Sequence, residues 1–523
     1  MRTAWNSSLI PLAGFLCGAV AVYLWAPLPP IETPSPTTTV PTPASPPTHV
    51  LFLMWDTARA DRMSLYGHER LTTPHLDRLA EESVVFDAAY APSFWTVPSH
   101  ASLFTGTPVS HHRTNAHQTW LPNAAVTLAE HLKDQDYETW MFTANPNLSK
   151  RTNLVQGFDT VHSPRQAQWE AQAIALTDAK LIASDESTER SPAWRGKPNR
   201  ASKDVGPLMG ESLLAWLDQR DPDRPFFAFI NYMEVHGPRL PTMDSREALL
   251  DPEMLTLGLE TSAAFRDISD ANHNRRSYTE AEREAMLGVY DASMRDLDQV
   301  TAVLIDQLRA RGLLDHTVVI VTSDHGDAFG EHGLYGHNYS LYDELVHVPL
   351  LLRLPGGAEA RRVSDPVSNR AIFTTLTDHL GLPPPPISGP LPSLLTDGQE
   401  PVAYAELTAA HGSRRGLPLT RADGSVIELR RRYLAQITPE WKFIRSSDGD
   451  HELYDRIKDP EEEHNLVQAQ PELTAQLLAQ AEAWRATNTR KQNRRLGSEE
   501  RALKKRAGAD VPLEALEALG YIE

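Results

Sequence analysis

Apolar runs of strand length alternate with amphipathic helical stretches from Val50 to Leu380, and this alternation restricts the fold more than any other feature of the chain. The strand candidates are Val50–Trp55, Thr139–Thr143, Phe226–Tyr232, Thr317–Thr322 and Val348–Leu352. Helical periodicity marks Pro74–Glu82, Val126–Lys133, Pro207–Gln219, Ala281–Arg311 and Arg370–Leu380; the first has Thr73 as its cap and Pro74 in its opening turn. Such alternation predicts an α/β fold with a central, mostly parallel sheet flanked by helices. At 523 residues the chain is too long for one small core. The run Pro383–Pro386 marks a boundary, so a main domain is expected over residues 49–382 and a smaller C-terminal subdomain with a tail over residues 383–523. Within the latter, Val402–Glu406, Val426–Arg430, Tyr433–Ile437 and Lys442–Arg445 predict an antiparallel sheet. A helix from Pro471 to about Ala486 and a very polar segment to Arg506 follow. The polar stretch from Ser184 to Lys203 reads as a surface insertion.

Ahead of these elements, Leu9 to Leu28 contains no charge and follows Arg2 and the free amine. That is long enough to span a bilayer, with the basic end held in the cytoplasm. An uncleaved signal anchor over residues 1–28 is expected in preference to a cleaved signal peptide, because no small-x-small site precedes the prolines. Residues 29–48 belong to a Pro/Thr-rich linker, semi-rigid and extended. Together they predict a membrane-anchored protein whose catalytic domain lies outside the cytoplasm, periplasmic or extracellular. The lone Cys17 lies in the apolar run, which excludes disulfides, cysteine-zinc sites and a cysteine nucleophile from the rest of the chain. A formal net charge of −19 argues against nucleic acid as a partner, which needs a basic face. It leaves open a small anionic substrate, since a local Arg/His/metal cluster can reverse the field within a cleft.

In open α/β sheets, ligands sit at the carboxyl ends of the strands. Three segments place polar groups there. In VLFLMWDTARADRMSLYG, Asp56 and Thr57 leave the first strand; in SFWTVPSHASLFTG, Thr96 and Ser99 open a short helix; in VVIVTSDHGDAFGEHGLYGH, Asp324 and His325 follow an apolar strand. Carboxylate, hydroxyl and imidazole converging from separate strand ends make a divalent-metal site. Taken singly, Thr96 also fits a helix N-cap, Asp56 a cap of the following turn and Asp324 an Asx-turn.

These segments resemble the sulfatase family of the alkaline phosphatase superfamily, in the family's order, from about His49 to Val467. Also matching are TPHLDRLAEESVVFDAAYA, FFAFINYMEVHGP, VPLLLRLPG and ELYDRIKDPEEEHNL. The resemblance implies the sulfatase fold and hydrolysis of sulfuric or phosphoric esters. The family's core signature begins with a Cys or Ser that is oxidised to formylglycine, and here it reads Thr96-Val97-Pro98-Ser99-His100. Threonine cannot become that aldehyde, and His100 replaces the family arginine. What remains is direct attack by an alkoxide, as in the threonine-dependent phosphoethanolamine transferases and nucleotide phosphodiesterases. Metal coordination and the positive end of a helix dipole both favour an ionised Thr96.

By the same resemblance Asp56, Asp324 and His325 are metal ligands, with Thr57 in place of the family's second aspartate and Thr96 at the metal. His325 replaces the common asparagine, which moves preference from a calcium-like oxygen cage towards zinc or manganese. His236 matches a histidine that contacts the anionic group, and His337 stands where many sulfatases have lysine. His332, in the GEHG turn, is a further candidate. Arg59 matches a position that holds the anion or the metal carboxylates, or else makes a surface salt bridge. The expected partner is a sulfated or phosphorylated glycan, lipid or small molecule. Competing functions are a membrane phosphoethanolamine-type transferase or phosphodiesterase, and an inactive glycan-binding homologue.

Overall fold

The computed structural model describes residues 47–183, 203–261, 265–337, 339–357, 360–387, 389–398, 400–408, 419–420, 426–427 and 431–489. The expected anchor at Leu9–Leu28, nearly all of the linker, the insertion at 184–202 and the polar segment before Arg506 lie outside these residues. Among the described residues no helix is long and apolar enough to cross a membrane.

An eight-stranded sheet carries the site. Its strands are β1 (His49–Trp55), β2 (Val84–Phe86), β3 (Glu138–Thr143), β4 (Thr160–His162), β5 (Phe226–Tyr232), β6 (Thr317–Thr322), β7 (Leu350–Arg353) and β8 (Arg361–Val363). They lie in the order β8-β2-β7-β6-β1-β5-β3-β4. The run from β6 to β4 is parallel throughout, whereas β7 is antiparallel to both β6 and β2. The expected strand Val348–Leu352 is thus broken. His347–Val348 pairs with Ala89–Tyr90 in a separate three-stranded sheet, and pairing in the main sheet resumes at Leu350. Pro349 has no N–H for either ladder, which accounts for the break.

Strand β1 is central and buried on both faces. Val50, Phe52 and Met54 enter one apolar core, and Leu51, Leu53 and Trp55 enter the other. This period-two alternation pins the register, because a one-residue slip would exchange the two sets. Helix α1 (Thr96–Thr105) lies wholly within the first core region, every residue buried. It ends at Gly106, at φ +64, where a Cβ would meet Ile387 at 2.7 Å. The long helix α2 (Glu280–Ala310) opens with a reciprocal Thr279/Glu282 capping box and lines the second core.

The C-terminal antiparallel sheet has four strands: β9 (Ala403–Leu407), β10 (Tyr433–Ile437), β11 (Trp441–Ser446) and β12 (Glu452–Asp455). Ala405, Ala435, Ile437 and Ile444 on one face join the core that holds α1. Leu434, Phe443 and Leu453 on the other face pack against the Pro471–Asn488 helix. The expected strand Val426–Arg430 is not part of this sheet. Its described residues, Val426–Ile427, pair with Leu419–Thr420, and the fourth place is taken by β12.

Beneath α1, His112 is buried and neutral. Its Nδ1 accepts from Thr114 N at 3.0 Å, which leaves the Nε2 proton for Ser102 Oγ at 2.8 Å. Burial, with smaller contributions from His111 and Arg370, lowers its pKa to about 3. A histidine whose folded pKa is depressed gives stability that is present above its unfolded pKa and lost as pH falls towards the folded one. From pH 7 to 5, below an unfolded pKa of about 6.5, the loss is about 2 kcal/mol. Denaturant unfolding at the two pH values should show this loss in the wild type and not in His112→Gln. Equal losses in both proteins would remove His112 as the cause.

Candidate active site

The carboxyl ends of β1, β3, β5 and β6 bring Asp56, Asn145, Asn231 and Asp324 together with the first turn of α1. Asp56 Oδ2 accepts from Asn145 Nδ2 at 2.7 Å and from Asn231 Nδ2 at 3.2 Å. Asp324 Oδ1 accepts from the backbone N–H of Thr57 at 3.3 Å and of His325 at 3.0 Å. Trp95 occupies the cap position of α1, so Thr96 is the first residue of the helix and not its N-cap. Thr96 Oγ1 lies 3.3 Å from Asn145 Nδ2 and 3.4 Å from His325 Nε2. Asp56, Thr57, Thr96, His100, Asp324 and His325 are all fully buried.

Among the described residues, Asp56 Oδ1, Thr57 Oγ1 and His100 Nε2 are buried here without a hydrogen-bond partner, and Asp324 Oδ2 makes no hydrogen bond but lies 3.3 Å from both His100 Nδ1 and His325 Nε2. One ligand atom each from Asp56, Asp324 and His325 lies within 4.8 Å of the others. Orphaned carboxylate oxygens in a dry site are costly unless a cation satisfies them. The donor set of two carboxylates and one imidazole fits a divalent metal.

The electrostatics agree with that fit. Burial, then the charge of Asp324, raises the pKa of Asp56. Asp324 shifts the other way, since His325 and His100 overcome the effect of its burial. Burial lowers His325 to about 4, which leaves a neutral imidazole. Its Nδ1 faces Gly326 O at 2.9 Å, an arrangement that places the proton on Nδ1 and a lone pair on Nε2, as a metal ligand requires. His100 Nδ1 lies 3.0 Å from Thr96 O and 3.3 Å from Asp324 Oδ2. Burial alone would lower the His100 pKa, but Asp324 and then Asp56 raise it overall.

Two further histidines adjoin this group. The ring of His337 is 4.6 Å from that of His325 and 5.2 Å from that of His236. His337 Nδ1 pairs with Asp327 Oδ1 at 3.0 Å, and Asp327 also binds the guanidinium of Arg239. Burial opposes the charged imidazole of His337, yet Asp327 raises its pKa overall. For His236 burial dominates and the pKa falls well below the usual value; its Nδ1 is 2.6 Å from Gly237 O.

Two sequence candidates go elsewhere. Arg59 was expected to hold the anion or the metal carboxylates, or to make a surface salt bridge. Its guanidinium is buried, binds both oxygens of Asp61 at 2.9 and 2.7 Å, and reaches Glu331 at 2.7 Å and Asp327 O at 3.0 Å. With its donors committed to these groups, it braces the loop that carries Asp327. The ring of His332 stacks on Tyr342 at 3.7 Å, with Nε2 3.8 Å from Glu344. Sequence reasoning missed Asn145, Asn231, Asp327 and Arg239. Asn145 follows an expected strand directly, and that position was the available signal. Asp327 lies in the stretch SDHGDAFGEHG, but only its approach to His337 reveals its part. Thr57 adopts φ +62, which is rare for a β-branched residue, and its amide N–H reaches Asp324.

The Sulfatase family profile matches residues 48–382. The ulvan-active sulfatase of Formosa agariphila is 24% identical over 438 residues, covering 80% of this chain and 77% of its own. An uncharacterized sulfatase of Escherichia coli strain K12 is 26% identical over 446 residues, covering 80% and 82%. Among solved structures, the phosphonate monoester hydrolase of Agrobacterium radiobacter shares the fold with a TM-score of 0.65 at 20% identity, covering 84% of this chain and 96% of that one. With the profile spanning most of the chain and the sheet topology in agreement, this protein belongs to the sulfatase family, sulfuric ester hydrolases of the alkaline phosphatase superfamily.

Proposed function

We propose that the protein cleaves sulfate or phosphate esters with Thr96 as nucleophile and a divalent metal held by Asp56, Asp324 and His325. One observation carries this reading: Thr96 Oγ1 sits between Asn145 Nδ2 and His325 Nε2, in the group where Asp56 Oδ1 has no hydrogen-bond partner among the described residues. The bound ion supplies Lewis acidity, which lowers the cost of ionising a hydroxyl and offsets the charge of the ester anion. Zinc or manganese suits the Asp/His donor set better than calcium.

The chain's own groups do the rest. Asn145 donates to Thr96 Oγ1, a bond that strengthens once the hydroxyl proton has left to solvent. The alkoxide attacks sulfur or phosphorus, and the ester oxygen departs with a proton from His337 Nε2. Water then attacks the threonine ester, gives its proton to the same Nε2, and frees Thr96. His100, with Nδ1 3.0 Å from Thr96 O and 3.3 Å from Asp324 Oδ2, steadies the first turn of α1 against the Asp324 carboxylate.

Purified protein loaded with zinc or manganese should turn over at least one of an aryl sulfate, a phosphate monoester and a phosphodiester, and lose that activity to a chelator. Failure on all three with both metals would overturn the reading. Asp327 acts through His337, so Asp327→Asn should lower kcat by about 10- to 100-fold and leave KM nearly unchanged. A change confined to KM would contradict that positioning role.

The uncharged run Leu9–Leu28 and the linker behind it support a location outside the cytoplasm on a membrane anchor. The full chain should then fractionate with membranes and be cut by protease added from outside. Recovery in the soluble fraction would exclude the anchor.

A further inference from the structure

A second group of potential ligands lies outside the catalytic cluster, in three segments that meet behind the catalytic loop. His332 sits in the turn Glu331–Gly333 at φ +53. Glu344 is on the short helix Asp343–Val346. Glu462 follows β12 at φ +56. One atom from each of the three lies within 4.8 Å of the others.

Glu344 is 7% exposed, and its Oε1 has no hydrogen-bond partner among the described residues. Its other oxygen, Oε2, is 3.8 Å from His332 Nε2. Glu462 is held in place, with Oε1 2.7 Å from Lys442 Nζ and Oε2 accepting from Asp343 N at 2.7 Å. Stacking on Tyr342 holds the ring of His332.

The charges do not balance. Lys442 is shared between Asp343 and Glu462. The nearby Glu331 is matched by Arg59. Among the described residues that leaves Glu344 with no Lys or Arg ion pair, next to Glu462 and with His332 Nε2 3.8 Å from its Oε2. A carboxylate has about four lone-pair sites, so both glutamates keep capacity for an ion. Ligand atoms bound to one ion at roughly 2.0–2.2 Å stand about 3.3–3.6 Å apart, so closing this group onto a cation needs movements of about 1 Å or less.

We propose that His332, Glu344 and Glu462 form a second divalent-cation site, of the zinc or manganese class, that joins the loop carrying His337 to the C-terminal segment. One imidazole and two carboxylates are too few and too soft for a calcium cage, and suit an ion of the zinc or manganese class. The site also backs the catalytic loop. Gly326 N donates to Leu345 O at 2.8 Å, and a Cβ on Gly326 would lie 2.0 Å from Glu344 O. An ion on Glu344 therefore steadies the segment that presents His325.

The test removes the catalytic centre first. Metal-depleted full-length Asp324→Ala is titrated with Zn2+ by calorimetry, alone and with His332→Ala or Glu344→Gln added. Asp324→Ala should keep one Zn2+ site and gain thermal stability from the ion. Each added substitution should weaken that site at least about tenfold. Glu344→Gln keeps the shape of the side chain, and His332→Ala changes a half-buried turn residue, so at least one double variant is expected to fold. The proposal falls if Asp324→Ala binds no Zn2+, or if the site survives both substitutions unchanged. A buried Glu344 that carries a proton instead of an ion gives the first of these results. Because Asp324 is absent throughout, neither result depends on the catalytic proposal.

Discussion

Thr96→Ala should lower kcat by at least about 10⁴-fold on whichever ester the wild type cleaves, while Thr96→Ser retains activity within roughly 10- to 100-fold. On the proposed mechanism alanine removes the attacking oxygen, the hydroxyl that lies 3.3 Å from Asn145 Nδ2 and 3.4 Å from His325 Nε2. A loss of 10⁴ corresponds to about 5.5 kcal/mol of transition-state stabilisation, far beyond the ~1 kcal/mol that a neutral hydrogen bond contributes to folding. The two effects therefore separate: Thr96→Ala should unfold within a few degrees of the wild type. Serine keeps the oxygen and gives up a buried methyl group, at a cost of about 1 kcal/mol. Steady-state rates beside thermal melts decide the matter. Equal activity in the wild type and Thr96→Ala would end the nucleophile proposal.

Asp56→Asn should abolish metal-dependent activity and yet stabilise the metal-free protein. Asp56 and Asp324 are buried carboxylates that face each other, and burial together with the Asp324 charge raises the Asp56 pKa. A carboxyl group whose folded pKa lies above its unfolded one loses stability as pH rises through that interval, so the cost is largest at alkaline pH. Asparagine removes the charge and keeps the shape. In chelator at pH 8 the variant should melt about 2 °C or more above the wild type. Added zinc or manganese should raise the wild-type Tm through mass action and leave Asp56→Asn nearly unmoved. Activity of the variant should fall at least about 10³-fold, since the ion is no longer held. A metal-free Asp56→Asn that melts below the wild type would show that Asp56 serves structure more than metal.

The catalytic loop also shows how one segment divides its labour. Within SDHGDAFGEHG, Asp324 faces Thr57 and His100, His325 faces Thr96, Asp327 turns to His337 and Arg239, and Glu331 turns back to Arg59. Arg239 is held between aromatic faces, its guanidinium carbon 4.9 Å from the ring centre of Tyr290 and 4.8 Å from that of Phe329. Such packing fixes Asp327, and through it the ring of His337.

Much of this architecture was legible before any coordinates. Apolar runs with helical stretches between them specify the parallel strands β1, β3, β5 and β6, because hydrophobic period and length are local properties. The ends of those strands are where ligands gather in such sheets, so Asp56, Asp324 and His325 could be named as candidates from position, and Thr96 at a helix start took its role from the resemblance to the sulfatases. Other features depend on which segments meet. Pro349 ends one ladder and lets β7 begin another, with a direction set by neighbours in a different part of the chain. Asn145 and Asn231 become site residues only because β3 and β5 lie side by side next to β1. The side chain of Arg59 could have turned to the metal carboxylates or to Asp61 and Glu331, and two nearby carboxylates in a buried setting decided it.

By itself, then, the sequence determined the α/β class, the strand-end placement of the Asp/Thr/His set, and the loss of a residue that formylglycine chemistry requires. Only the tertiary structure decided which oxygens stay unpaired, which imidazole nitrogen keeps its lone pair, and which arginine is already spent on carboxylates. Side-chain identity is written residue by residue. Hydrogen-bond satisfaction and charge balance depend instead on distances between groups far apart in the chain, and those exist only once it has folded.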